Sequence, residues 1–179
     1  MSHILDIRVY GFRRDDRLFP DANVWLSVSG PLAKQDWRTA VYSAALRNMR
    51  SAGAQIFLDV LVLSEFINGF ARLEYQQLPP EERPPDFKTF RRSELFEPVA
   101  NDIATNARRI LARTTRCDSL FESIDVVALI AEYQVGDSDF NDQMIREICK
   151  AKEFTLVTHD ADFRTSGIRI LTANRHLLA

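Results

Sequence analysis

The sequence predicts an α/β fold in three layers, α/β/α, with a central and mostly parallel sheet between the helices and a helical insertion in the middle of the chain. Three observations lead there. Short apolar runs of strand length alternate with longer stretches of helical periodicity, glycine and proline punctuate the junctions, and acidic residues recur where strands end. A parallel sheet joined by helices is covered on both faces and places its ligand sites at the carboxyl ends of its strands, so acids at those ends are candidate site residues.

The elements follow in order. Residues 4–12, ILDIRVYGF, are rich in β-branched and aromatic side chains and read as an additional strand without an assigned place. Arg17 to Asp21 reads as a short strand, Leu32 to Ala52 as an amphipathic helix closed by Gly53, Gln55 to Leu58 as a second strand and Val60 to Gln77 as a helix. The segment QLPPEERPPDF, Gln77 to Phe87, holds four of the seven prolines and cannot continue a helix. Beyond it, Phe87 to Thr114 has helical spacing with Phe90, Phe96, Val99, Ile103, Ile110 and Leu111 inward, a new helix starting near Pro98. Two more helices, Ser123 to Gln134 and Asp139 to Lys152, precede strands at Thr155 to Thr158 and Ile168 to Leu171.

The 179 residues, 46% of them apolar, suffice for one good core, and the chain reads as a single domain over 1–179 with a basic helical insertion at about 77–120. No apolar run reaches the roughly 18 to 20 residues that cross a bilayer. The first ten residues lack a basic region followed by an apolar stretch, so a cytoplasmic protein without a membrane partner is expected. Cys117 and Cys149 lie far apart, in no zinc-ligand or disulfide pattern, and read as ordinary reduced cysteines. No GxGxxG or GxxxxGK[ST] run points to a nucleotide site. The formal charge of −2 is unevenly spread: eight basic residues face four acidic ones between Arg83 and Arg116, leaving that segment at +4 and the remainder at −6. Such a lobe suits phosphate contact, although taken alone a solvated helix face is the favoured reading.

Four stretches carry the chemistry. In LFPDANVWL an apolar run ends at Asp21, with Asn23 two residues later; an Asx turn is the plain alternative. Pro20 removes a ladder donor, which a central strand tolerates only where that N–H has no partner. Glu65, in LSEF, is the only acid between Val60 and Leu73, and a buried acid there calls for a cationic partner, protein or metal. In DFNDQMI, Asp139 and Asp142 open a helix on one face, where Asp139 can also cap the N–H three positions on, and Asp137 adds to the local acid density. LVTHDADF repeats the first pattern with Asp160 and Asp162, while His159 reads as a packing or solvated residue. Oxygen-only sets of this kind suit hard divalent cations, which relieve the mutual repulsion of the carboxylates.

Taken in this order, LFPDANVWL, LSEF, DFNDQMI and LVTHDADF resemble the motifs of the PIN-domain family of metal-dependent nucleases, over most of the chain from about Arg17 onward. The resemblance implies Asp21, Glu65, Asp142 and Asp160 as the principal catalytic and metal-binding acids, Asp139 and Asp162 as further metal ligands, and Asn23 and Thr158 as polar supports. It implies Mg2+ or Mn2+ as cofactor, RNA as substrate, and hydrolysis that leaves a 5′-phosphate and a 3′-hydroxyl. Arg91, Arg92, Arg108 and Arg109 are then the candidates for RNA phosphate contact. Many bacterial members are VapC-type toxins with a small antitoxin partner, and homodimers are common among them. This chain is longer than a compact toxin, the excess falling between Leu73 and Asp125. The alternative is a catalytically inactive PIN-like module that binds RNA or protein. A phosphatase of the haloacid dehalogenase kind also places an aspartate after its first strand, but Asp21-Ala22-Asn23 lacks that family's second aspartate.

Overall fold

The computed structural model describes residues 4–33, 36–136 and 139–179. Along the chain lie β1 (Ile4–Asp6), β2 (Arg17–Pro20), α1 (Ala22–Ser29), α2 (Trp37–Ser51), β3 (Gln55–Leu58), α3 (Val60–Gln77), α4 (Phe87–Phe90), α5 (Phe96–Leu111) and β4 (Thr115–Arg116). After them come α6 (Val126–Val135), α7 (Phe140–Ala151), β5 (Thr155–Val157), a 3-10 turn (Ala161–Thr165), β6 (Ile170–Thr172) and α8 (Arg175–Leu178).

The six strands form one sheet in the order β1-β6-β5-β2-β3-β4, and every neighbouring pair is parallel. From β2 the chain winds through β3 to β4, then returns to build β5 and β6 on the other side. The winding therefore reverses between β2 and β5, and a crevice opens outside their carboxyl ends. Right-handed crossovers put α1, α2, α3 and α5 on one face and α6 and α7 on the other, in keeping with the packing of α1 against α2 and α3, α3 against α5, and α6 against α7.

Central strands of a parallel sheet are buried on both sides, which is why β2 and β5 read as unbroken apolar runs: Leu18, Phe19, Leu156 and Val157 are all fully buried. Phe154, just before β5, stacks on Phe57 at 4.3 Å and on Phe19 at 5.7 Å. The Arg17 guanidinium covers the Phe57 and Phe154 rings, closing the lower end of the sheet. Among the described residues no helix is long and apolar enough to cross a membrane.

Several boundaries differ from the sequence reading. Helix α1 was not anticipated: ANVWLSVS is short and apolar nearly all round, so it reads as a continuation of the strand before it. The strand expected to run to Asp21 ends at Pro20, and Asp21 caps α1, its side chain accepting from the Ala22 N–H. Helix α2 starts at Trp37, after the Asp36 cap, instead of at Leu32. The stretch from Phe87 divides into α4 and α5, with Pro98 in the first turn of α5, where its missing N–H has no helical partner to lose. Helix α6 starts at Val126 after the Asp125 cap, and β6 begins at Ile170, two residues later than expected. The two-residue β4 is too short to carry a periodic signal, and it sets part of the 77–120 stretch at the sheet edge. The N-terminal strand is β1, paired with β6. Asp137 lies outside the described residues.

Pro20 is accommodated by where the ladders stop. Pairing with β3 ends at Leu18↔Ile56, whereas pairing with β5 continues through Pro20↔Val157, and the Asp21 N–H donates to Val157 O at 2.9 Å. The proline therefore stands past the last paired residue on the β3 side, where no donor is missed.

Close approach of α1 and α3 depends on Gly69. A Cβ built there lies 3.0 Å from Leu26 Cδ1, so a branched side chain crowds the Leu26 side chain and makes it shift. Since Asp21 caps α1 and α3 carries Glu65 one turn before Gly69, this packing also sets the relative position of two candidate acids. Gly69→Val is expected to cost about 1–3 kcal/mol of stability by urea unfolding; an unchanged unfolding midpoint with an unchanged slope counts against tight packing here.

Candidate active site

The next rung beyond the β2·β5 ladder is formed by Asp21 and Thr158, and the site is built on that pair. Asp21 is 3% exposed and Thr158 fully buried. Thr158 Oγ1 donates to Asp21 Oδ2 at 2.8 Å and accepts from Asn23 Nδ2 at 3.0 Å and from the Asp160 N–H at 3.0 Å. One donor and two lone pairs are a hydroxyl's full capacity. Asn23 Nδ2 also donates to Asp21 Oδ2 at 2.5 Å, and its Oδ1 accepts from the His159 N–H at 3.1 Å. The strand ends, the start of α1 and the loop after β5 are thereby fixed to one another. Both residues expected as polar supports, Asn23 and Thr158, touch the Asp21 carboxylate.

The other acids arrive from three directions. Asp142 is in the first turn of α7, and Asp139 caps that helix by accepting from the Asn141 N–H at 2.8 Å, two positions on instead of three. Asp160 caps the 3-10 turn, accepting from the Asp162 N–H at 3.0 Å. The tightest grouping among the described residues is Asp142, Asp160 and Asp162, each offering a carboxylate oxygen within 4.8 Å of the others. Asp162, an outer member in the sequence reading, thus stands in the closest set. Asp21 lies behind that set, bound by its own hydrogen bonds.

Glu65 differs from expectation. It occupies an exposed position on α3 and has no ion-pair partner among the described residues, so no buried charge calls for a cation there. It shares a cleft with Ser64, Asn68, Arg72 and Asn141, and its carboxyl is nevertheless raised, first by desolvation and then by the charges of Asp142, Asp139 and Asp160. The buried acid of this region is Asp59, at the end of β3. It caps α3 by accepting from the Leu61 and Val62 N–H groups, and its Oδ2 has no partner among the described residues. The stretch FLDV repeats the strand-then-acid pattern of FPDA, a signal that marks Asp59 as plainly as Asp21.

The acids repel one another. Burial, opposed by the Thr158 hydroxyl and reinforced by Glu65 and Asp160, pushes Asp21 up to about 7. Desolvation, followed by the charges of Asp21, Asp160, Asp139 and Asp162, likewise pushes Asp142 up to about 7. Three convergent oxygens and a surplus of negative charge are what a hard divalent cation such as magnesium or manganese takes, and the donor set fits such an ion.

His159 is fixed beside this set without joining it. Its Nδ1 lies 2.8 Å from the Tyr42 hydroxyl, its carbonyl accepts from Asn174 Nδ2 at 2.7 Å, and its ring meets those of Trp37 and Tyr42 edge to face.

The four arginines expected at phosphates are all exposed but do not converge on the acids. Arg91 packs over Phe96 and lines a cleft between α3 and α5. Arg109 and Arg113 face Arg47 and Arg50 of α2 across a cleft of about 370 Å³ that has no acid in its lining. Arg47 and Arg50 were not singled out from the sequence, because their partners come from a distant part of it.

A family model described as "PIN domain" matches residues 18–167. The chain belongs to the PIN-domain family. Members of this family are generally nucleases. Among solved structures, a chain of VapBC2 from Rickettsia felis, bound to a DNA fragment from the promoter, is similar at 14% identity and a TM-score of 0.54, over 87% of this chain and 97% of that one. PAE2754 from Pyrobaculum aerophilum is similar at 10% identity and a TM-score of 0.52, over 97% of this chain and 94% of that one. These likenesses bear out the three-layer PIN fold, with a sheet that is parallel throughout. No curated protein sequence matches the chain.

The raised acids make a stability prediction for this PIN domain. Near its ordinary value of 3.8 the unfolded chain releases protons that the fold retains on Asp21 and Asp142 up to about pH 7. Stability without metal therefore falls as pH rises through that window. In EDTA at pH 7.5, Asp21→Asn is expected to raise the melting temperature by about 3–10 °C, and at pH 4.5 to change it little. Calorimetry at the two pH values checks this; an equal effect at both rules out retained protons as the cause.

Proposed function

We propose that the chain is a metal-dependent endoribonuclease that hydrolyses RNA phosphodiester bonds. The observation that carries this reading is the convergence of Asp142, Asp160 and Asp162 beside proton-retaining Asp21, at the crevice where the sheet reverses its winding. Asp142, Asp160 and Asp162 would hold Mg2+ or Mn2+, with Asp21 completing the set from the buried side. The chemistry such an ion would supply there is a lowered pKa for water and neutralisation of charge developing on a phosphodiester.

The remaining work falls to the protein. Thr158 and Asn23 hold Asp21 in one orientation, so its carboxylate needs no rearrangement when substrate arrives. Glu65, raised first by desolvation and then by the neighbouring acids, receives a proton from an attacking water. Asp139 keeps the start of α7 in place and adds negative charge to the set. Arg109, together with Arg91, Arg92 and Arg108, meets phosphates away from the cleavage point, as does the cleft shared with Arg47, Arg50 and Arg113. The fold likeness to a VapBC2 chain supports a toxin restrained by a small antitoxin protein; a cytoplasmic homodimer is the working form proposed with it. On this reading residues 1–179 form one PIN-like domain, enlarged at about 77–120.

Single-stranded RNA is expected to be cleaved with Mn2+ or Mg2+ and left intact in EDTA. Asp142→Asn and Asp160→Asn each should lower the rate by about 100-fold or more, measured on an end-labelled RNA with product ends mapped. Full activity in both variants refutes the assignment, and RNA binding without cleavage in manganese turns the reading to an inactive binding module.

A further inference from the structure

Beside the acids, reached through His159, lies a further cleft of about 430 Å³, whose walls include Arg8, Trp37, His159, Asn174, Arg175 and His176. Its volume is in the range of small-ligand sites, roughly 300–1,000 Å³. Trp37 is 62% exposed, an unusual position for the largest apolar side chain, and it opens α2 directly after the Asp36 cap. Its ring is set by an edge contact to His159 at 5.6 Å between centroids.

This wall is continuous with the carboxylate site. The His159 N–H donates to Asn23, which holds Asp21, and the His159 carbonyl is held by Asn174. The residue after His159 is Asp160, one of the converging acids. The cleft has no acid in its lining. Arg8 is already neutralised by Asp6 at 2.6 Å, whereas Arg175 is exposed and forms no ion pair among the described residues. One flat aromatic face, one uncommitted guanidinium and a rigid link to a phosphodiester-cutting site are the elements of single-strand recognition: a base stacks and its phosphate is held.

We infer that the Trp37–Arg175 cleft is a nucleotide subsite, which stacks one unpaired RNA base on Trp37 and holds its phosphate at Arg175, next to the scissile bond. This rests on the ribonuclease reading above. It also extends that reading: the substrate is unpaired RNA on at least one side of the cut, since a base within a duplex has no free face to stack.

The probe is a fluorescein-labelled single-stranded oligoribonucleotide of about eight nucleotides, titrated with the full chain in EDTA and followed by anisotropy. Binding should quench tryptophan emission, because Trp25, the other tryptophan, is buried. Trp37→Ala should weaken affinity about ten- to a hundredfold and Trp37→Phe by about threefold or less. Arg175→Ala should weaken it and reduce the salt slope by about 0.7. Unchanged affinity of Trp37→Ala, the result expected if a protein partner covers this face, overturns the subsite. The same drop with an abasic strand overturns it too, by removing the base from the interaction. The two readings fail separately. Trp37-dependent binding without cleavage in manganese leaves the subsite and removes the nuclease, while cleavage with the same kcat/KM in Trp37→Ala leaves the nuclease and removes the subsite.

Discussion

The hydroxyl of Thr158 is the junction on which the upper edge of the sheet depends. It gives its proton to Asp21 and takes hydrogen bonds from Asn23 and from the backbone of Asp160, so two strand ends, one helix start and one turn meet at a single oxygen. The group is fully buried and its capacity is used up, a condition in which a polar network specifies one arrangement and tolerates few others. The neighbouring strands give it a rigid base: Leu18 to Pro20 and Thr155 to Val157 run in register directly beneath. Without that register Asp21 and Thr158 are far apart in sequence and have no reason to meet.

Around this junction the protein gathers more negative charge than a dry edge tolerates. Capping accounts for part of it, since Asp21, Asp59, Asp139 and Asp160 each satisfy a backbone N–H at the start of a helix or turn. Capping does not account for Asp142, which caps nothing and is raised as far as Asp21. The excess is a cost borne by the fold, the usual relation between a functional site and the stability of its scaffold.

Much of this was legible in the sequence because apolar runs ending in acids survive as local patterns. Val60–Gln77 and Gln55–Leu58 match the structure at both ends, and the order of strands and helices predicts the parallel sheet. What was not legible depends on the third dimension. Helix α1 lacks a polar face, so no periodicity separates it from β2. Glu65 lies in an apolar stretch yet faces outward, because hydrophobic neighbours along a helix do not all share its side. Asp59 was overlooked although its pattern was visible. Asp162 moved into the closest grouping because the 3-10 turn folds it back toward Asp142, and a turn of that kind has no periodic signature. The pairing of Arg47 and Arg50 with Arg109 and Arg113 is likewise a product of helix packing.

Pro20 limits the growth of its strand. A residue with an N–H at that position could add one more rung toward β3, lengthening the flat part of the sheet and drawing Asp21 down into the ladder. The pyrrolidine ring forbids that rung. The chain must turn into α1 one residue later, and the carboxylate stays just past the end of the ladder, buried behind the converging acids. A residue with no catalytic atom of its own thus sets the depth of the acid it precedes.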